Sequence, residues 1–490
     1  MKKVLIGIGV FLLLIVIGIF FLFPQILFIF PFTQKWALEL EGEQAATFYF
    51  KNEAKDSLYM KGVIYSNTYN ELTKVLQENS SITTLVMEEV PGSIDDEVNL
   101  IASKEIRKHN LNTYIPNNGW VASGGTDMFL AGVQRNIALN ARLGVHSWAG
   151  LDKVAKDFPK DAEEHKKYLN YYKEMDIPTD FYWYTLDAAP AESIHWMTPL
   201  EINKYDVVTP TLDLSELLAT QKQLASDEFA GRAVGKNQKA QKLIRNRFQQ
   251  IGLQSFSENY EQPFTFQNEK TKRTVNATNL IGYIKGKKYP NHYIVIGAHY
   301  DHVGIIKDTI YNGADDNASG TSALLTLAKY FSKKIPDHSI IFAAFDAEES
   351  GLWGSKYFVD NPPVSLKDIQ LNINFDMISR NPKNEIYAVG TYQYPKFKVA
   401  IDSVAKYVPF LQVSFGHDNP NDTTKDFWMR SSDNGPFFEK NIPNITFSEE
   451  DHPGYHHHSD DFENTNPEFY KNVVILIKNT IQQIDQNILD

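Results

Sequence analysis

Five short stretches concentrate histidines and carboxylates in this chain: AHYDHVG at 298–304, NGADDNASG at 312–320, FDAEESG at 345–351, NFDM at 374–377 and GYHHHSDD at 454–461. Each sets His, Asp or Glu beside an apolar run or a glycine turn. Imidazole nitrogen and carboxylate oxygen are the donors that zinc and similar divalent cations take when thiolate is missing. The chain has no cysteine, so thiolate sites and disulfides are excluded. In FDAEESG, adjacent Glu348 and Glu349 let one carboxylate hold metal while the other moves a proton. The chemistry this predicts is hydrolysis by water activated between two divalent cations. His299 and Asp301 stand two apart, which puts both on one side of an extended segment. Asp301 is then expected to accept the second ring N–H of His299 and fix its tautomer.

The elements that must position these residues follow from the apolar pattern. Lys236–Ile251 has helical spacing, Tyr293–Ala298 reads as a buried strand, Ser319–Phe331 as a helix, Ser339–Phe345 and Ile369–Phe375 as strands, and Phe469–Ile484 as a long amphipathic helix. The predicted fold is α/β, with a mostly parallel sheet and helices on both faces. His299, Glu348, Glu349 and Asp376 all fall just past an apolar run, at the strand ends where such sheets hold ligands. The polar stretch 250–275 reads as a surface connection. Towards the N-terminus, Lys61–Tyr65 and Thr83–Met87 read as strands, and Ile94–His109, Asp127–Gly132 and Glu163–Met175 as helices.

At 490 residues the chain exceeds one ordinary core. The expected division is an anchor at 1–32, a first domain at 33–206 and a second at 207–490. The anchor rests on Val4–Phe23, a run without a charged residue and long enough to span a bilayer. Lys2 and Lys3 precede it, and Glu39, Glu41 and Glu43 follow. The positive-inside rule then leaves the N-terminus cytoplasmic and the domains outside. A net charge of −12 argues against a nucleic-acid partner.

Residues 213–490 resemble the co-catalytic di-zinc aminopeptidases, whose relatives include glutamate carboxypeptidase II and the glutaminyl cyclases. DEFAGRAVGKNQ at 227–238 is similar to that family's entry segment, and the five motifs follow in its order. The resemblance implies a zinc exopeptidase-like fold, two Zn2+ per chain and peptide or protein substrates. It implies that Asp316, directly before N-A-S-G, bridges the ions, and that Asp315 does not. One ion would take Asp316, Asp376 and His299, the other Asp316, Glu349 and His456. Glu348 would be the general base. His457 and His458 would be solvated loop residues, and Asn434 stands where relatives often carry His. An alternative within the same family is a single-zinc, glutaminyl-cyclase-like acyltransferase. A second, of another class, is a peptide-binding protein.

LYMKGVIYSN, VMEEVPGSIDDEV, WVASGGTDMFLAG, ARLGVHSWAG and MTPLEINKYDVVT, in order within 58–206, resemble the Clp proteolytic-subunit and crotonase-like serine proteases. That resemblance implies Ser123 as nucleophile and His146 as its base, with Gly92 and Gly124 as oxyanion donors. Pro91 stands where a glycine is usual and supplies no N–H. Glu192 and Asp187 are rival candidates for the third member.

Overall fold

A computed structural model describes residues 31–489 save Asn52, Leu139, 151–152 and 269–271. The expected membrane span lies outside these residues. Among the described residues no helix is long and apolar enough to cross a membrane. The chain forms two compact units that meet in sequence at Pro210 and Thr211.

In the first unit the strands are β1 (Thr47–Tyr49), β2 (Ser57–Lys61), β3 (Thr84–Val90), β4 (Asn112–Ile115), β5 (Trp120–Ala122), β6 (Arg135–Ile137), β7 (Arg142–Val145) and β8 (His195–Trp196). They form one sheet in the order β1-β2-β3-β5-β7-β8, with β4 beside β3 and β6 beside β4. The pairings β2/β3, β3/β5 and β5/β7 are parallel. Leu58, Met60, Leu85, Met87 and Val121 are buried beneath helices. The helix Asp96–Lys108 starts where the Asp95 side chain accepts the N–H of Val98 at 3.1 Å, satisfying one of its open donors. The strand expected at Lys61–Tyr65 lies four residues earlier, at Ser57–Lys61. Gly62, at φ +106°, ends it, and Val63 and Ile64 make only isolated bridges.

The second unit holds β9 (Gln254–Ser255), β10 (Glu261–Gln267), β11 (Thr274–Ile284), β12 (Tyr289–His299), β13 (Gly304–Ile306), β14 (Thr309–Tyr311), β15 (His338–Phe345), β16 (Ile369–Phe375), β17 (Glu385–Val389), β18 (Gln412–Ser414) and β19 (Asn444–Ser448). The main sheet runs β10-β11-β15-β12-β16-β19-β17-β18. Its middle, β15-β12-β16-β19, is parallel, while β10/β11, β11/β15 and β17/β19 are antiparallel. All eight residues of β15 are buried, as expected of a central strand covered on both faces. The fold is therefore mixed α/β, parallel at the centre and antiparallel towards its edges. The stretch 250–275 is not a plain connection. Phe264 and Phe266 of β10 alternate with exposed neighbours and are buried, which gives this edge strand its apolar face.

Candidate metal centre

The four central strands all end on one side, and the acidic and histidine motifs lie at those ends. His299 closes β12, Asp376 follows β16, and Glu348 and Glu349 follow β15. Asp316 stands in the turn before the helix Gly320–Lys333, and His456 lies in the loop after β19. Parallel strand ends with divergent loops leave a crevice for these side chains.

Buried Arg232 holds two of these segments together. Its guanidinium donates to the carbonyls of Tyr300 (2.9 Å), Asn312 (2.6 Å), Gly313 (2.8 Å) and Leu224 (2.8 Å). The segments after His299 and before Asp316 are thus tied to one rigid fork. Asp460 adds a second tie by accepting the N–H groups of Asp315 (3.1 Å) and Asp316 (3.0 Å).

At the first position, His299 Nε2 stands 3.5 Å from Asp316 Oδ1 and 3.4 Å from Asp376 Oδ1. Nδ1 donates to the carbonyl of Asp301 at 3.2 Å. Nε2 then carries the lone pair, and it is buried without a hydrogen-bond partner. That is the tautomer a metal-binding imidazole needs. The partner, however, is the Asp301 carbonyl and not its carboxylate, whose Oδ1 lies 3.7 Å away. The Asp301 carboxylate turns instead to the Glu pair, accepting the N–H of Glu348 (3.0 Å) and of Glu349 (3.3 Å). Its task here is to fix that turn.

At the second position, His456 Nε2 lies 3.2 Å from Asp316 Oδ2 and 3.0 Å from Glu349 Oε2. Asp316 thus offers one oxygen to each position, as a bridging ligand must. These two carboxylates push the His456 imidazole up to about 10. Burial would raise Glu349, yet hydrogen bonds from His302 and His456 outweigh it and hold this carboxyl far below the usual range. Glu348 Oε2 lies 4.0 Å from His299 Nε2. Burial, with Asp376, Glu349 and Asp433 nearby, raises its pKa well above the ordinary value against the pull of His299.

Asp315 is turned away from both positions. It accepts from Ser379 N (2.7 Å), Ser379 Oγ (2.8 Å) and His452 Nε2 (3.1 Å). His457 bonds Ser459 through Nδ1 (2.9 Å), and His458 faces Tyr311. Asn434 is buried and donates to the Trp428 carbonyl at 3.2 Å.

Two residues escaped the sequence reading. His302 is buried, and its Nδ1 reaches Glu349 Oε1 at 2.7 Å. Its only sequence signal is the second histidine of HYDH. Asp433 is also buried, with neither carboxyl oxygen hydrogen-bonded; burial pushes it up to about 7. Its position in SDNGPF carried no signal. The centre packs Asp316, Glu348, Glu349 and Asp376 against few cations. This excess of buried carboxylate, and the lone pair of His299, fit divalent ions.

In the first unit, Ser123 sits between β5 and the helix Gly124–Leu130 at φ +54°, ψ −129°, a conformation a non-glycine residue adopts only under strain. It shares a cavity of about 50 Å³ with His146, Asp96 and Asp127. Gly92 is required beside it, because a Cβ there would stand 2.9 Å from the Ser123 Cβ. Among the described residues no carboxylate is hydrogen-bonded to His146. His146 Nδ1 is buried without a hydrogen-bond partner. Of the two expected acids, Asp187 pairs with Lys156 (2.9 Å) at the surface, and Glu192 makes no hydrogen bond to His146 among the described residues.

The chain is 34% identical over 212 residues to Aminopeptidase YwaD of Bacillus subtilis (strain 168), covering 41% of this chain and 43% of the relative. It is 35% identical over 168 residues to a Glutamate carboxypeptidase 2 homolog of Caenorhabditis briggsae, covering 33% of this chain and 20% of that one. It thus spans less than half the length of these curated relatives. BSAP, a zinc aminopeptidase from Bacillus subtilis, is a solved structure that aligns at 18% identity and a TM-score of 0.43, over 55% of this chain and 94% of that one. The family model described as Peptidase family M28 matches residues 279–481, wholly within the second unit. The likeness to Peptidase family M28 thus lies in the C-terminal region of this chain.

Proposed function

We propose that this chain is a membrane-anchored, extracytoplasmic metallopeptidase that removes residues from the N-termini of peptides. The observation that carries the reading is Asp316, which offers one oxygen to His299 and Asp376 and the other to His456 and Glu349. His299, Asp376 and Asp316 would hold one zinc ion, and Asp316, Glu349 and His456 the other. When bound, the pair would supply Lewis acidity and make a water nucleophilic near neutral pH. Glu348, with Oε2 4.0 Å from His299 Nε2 and in neither donor set, takes the proton of the attacking water and passes it to the leaving amine. Asp301 keeps Glu348 aimed by accepting its backbone N–H. Two complete donor sets favour this reading over a single-zinc acyltransferase, and the presence of every expected ligand favours it over a binding protein. Release of the first residue from free peptides, and none from N-acetylated ones, tests it. Internal cleavage of both would replace it with an endopeptidase.

A second activity rests on one observation in the first unit, the strained Ser123 at a strand-to-helix junction beside His146. A serine with a base beside it acts as a nucleophile. A membrane-impermeant fluorophosphonate added to intact spheroplasts is expected to label Ser123, with labelling lost in Ser123→Ala and His146→Ala. Labelling only after lysis would reverse the orientation read from Lys2 and Lys3. No labelling in lysed cells whose peptidase is active would make the first unit a non-catalytic scaffold.

A further inference from the structure

The second metal position has a neighbour that the expected ligand set does not use. His302 follows Asp301 and turns inward, with its side chain fully buried. Nδ1 lies 2.7 Å from Glu349 Oε1 and 3.6 Å from Asp316 Oδ2. His456 Nε2 approaches the other oxygen of Glu349 at 3.0 Å and the same Asp316 Oδ2 at 3.2 Å. The two imidazoles therefore converge on one pair of carboxylates, with ring centroids 6.0 Å apart. Zinc–ligand bonds of about 2.0–2.1 Å put neighbouring ligand atoms of a four- or five-coordinate ion about 3 Å from one another. The separations between these imidazoles and carboxylates, from 2.7 to 3.6 Å, bracket that distance. His302, Asp316 and Glu349 together already present donor atoms within the span of one ion.

We infer that His302 is an additional ligand of the second ion, so that this position would take Asp316, Glu349, His456 and His302 and be five-coordinate with the reacting water. This rests on the two-zinc reading above. The ring has little room to do otherwise. Arg232 accepts the His302 backbone N–H at 3.3 Å through its own carbonyl. Gly313, at φ +56°, packs so closely that a Cβ there would lie 2.5 Å from the His302 ring carbons. The imidazole is thus wedged with Nδ1 between the two carboxylates. A histidine serving only as a hydrogen-bond donor to Glu349 would aim at one oxygen. This one also faces Asp316.

The inference makes the two positions unequal: the first has one imidazole, and the second has two. The second ion should bind more tightly than the first. Nothing in the reaction needs His302 to move, since His456 on its exposed loop still completes the site.

The test is direct counting of ligands. Full-length protein carrying 15N-labelled histidine is loaded with two equivalents of 113Cd, and histidine nitrogens coupled to cadmium are counted. Three coupled imidazoles, from His299, His302 and His456, are expected. Two would overturn the inference while leaving the two-metal reading intact, and failure to bind metal at all would sink that reading first. Affinity gives an independent arm. Residues that merely support a ligand cost about 10–100-fold in metal affinity. His302→Ala is expected to weaken the second position more than 100-fold with the first unchanged, read by competition with a chromophoric chelator. A loss within the 10–100-fold range would assign His302 to support alone.

Discussion

Glu348→Gln is expected to keep both zinc ions and to lose roughly 10²–10⁴-fold in turnover. The amide is close in size to the carboxylate and can still accept the hydrogen-bonding geometry of its turn, because the Asp301 carboxylate binds the backbone N–H and not the side chain. What it cannot do is take a proton. Glu348 belongs to neither donor set around Asp316, so metal content measured by atomic absorption should match the wild type. In the metal-free protein burial and acidic neighbours keep Glu348 neutral well above the usual carboxylate range. Two cations beside it would favour its ionised form, the form a base requires. Turnover should accordingly fall as pH drops through the loaded enzyme's Glu348 pKa, and this limb should vanish in Glu348→Gln. Near-normal turnover in this variant would remove Glu348 from the mechanism.

Asp316→Ala is expected to fail in a different way, by losing metal. Its two oxygens face different positions, 3.5 Å from His299 Nε2 and 3.2 Å from His456 Nε2. Even supporting residues cost about 10–100-fold in metal affinity, so a ligand shared by both ions should cost each of them more than about 100-fold. Turnover should then fall at least as far as in Glu348→Gln and recover only with a large excess of zinc. Folding should not suffer to match. Burial first, and Glu349 next, raise the Asp316 pKa, which means the metal-free fold gains little from this carboxylate. Thermal unfolding of the stripped variant should resemble that of stripped wild type. A variant that retains two ions would show that Asp316 does not bridge.

The strands at 293–298 and 339–345 were legible because both their faces are largely apolar, and 369–375 because Ile369, Leu371, Ile373 and Phe375 recur at every second position. Runs of this length and make-up read as strands, and the acidic residues just beyond them fall at the strand ends, where a mostly parallel sheet gathers them. What the spacing could not show was direction. Two residues apart on an extended segment, His299 and Asp301 looked like an imidazole and its carboxylate partner. In the fold the chain bends after β12, the Asp301 carbonyl meets the ring, and the carboxylate goes to the Glu turn. His302 was hidden for a similar reason. Whether it faces solvent or the carboxylates Glu349 and Asp316 depends on Arg232, distant in sequence, which clamps the chain on both sides of it. Asp433 is near the centre only through the packing of the helix Asn434–Glu439. The edge strand β10 was mistaken for a connection because QPFTFQ is polar overall. Only the alternation of Phe264 and Phe266 gives it away. In the first unit the glycines and Ser123 were readable as a turn, while among the described residues neither Asp187 nor Glu192 hydrogen-bonds His146.

The central claim is hydrolysis at free N-termini by two zinc ions per chain, and a zinc titration tests it most directly. Full-length protein is stripped with chelator, zinc is added back in known amounts, and release of the N-terminal residue from a free peptide is followed beside its N-acetylated twin. The account predicts no release from stripped protein, recovery that is complete at two equivalents of zinc, and no release from the acetylated peptide throughout. Full activity after stripping, or full recovery at a single equivalent, would contradict it.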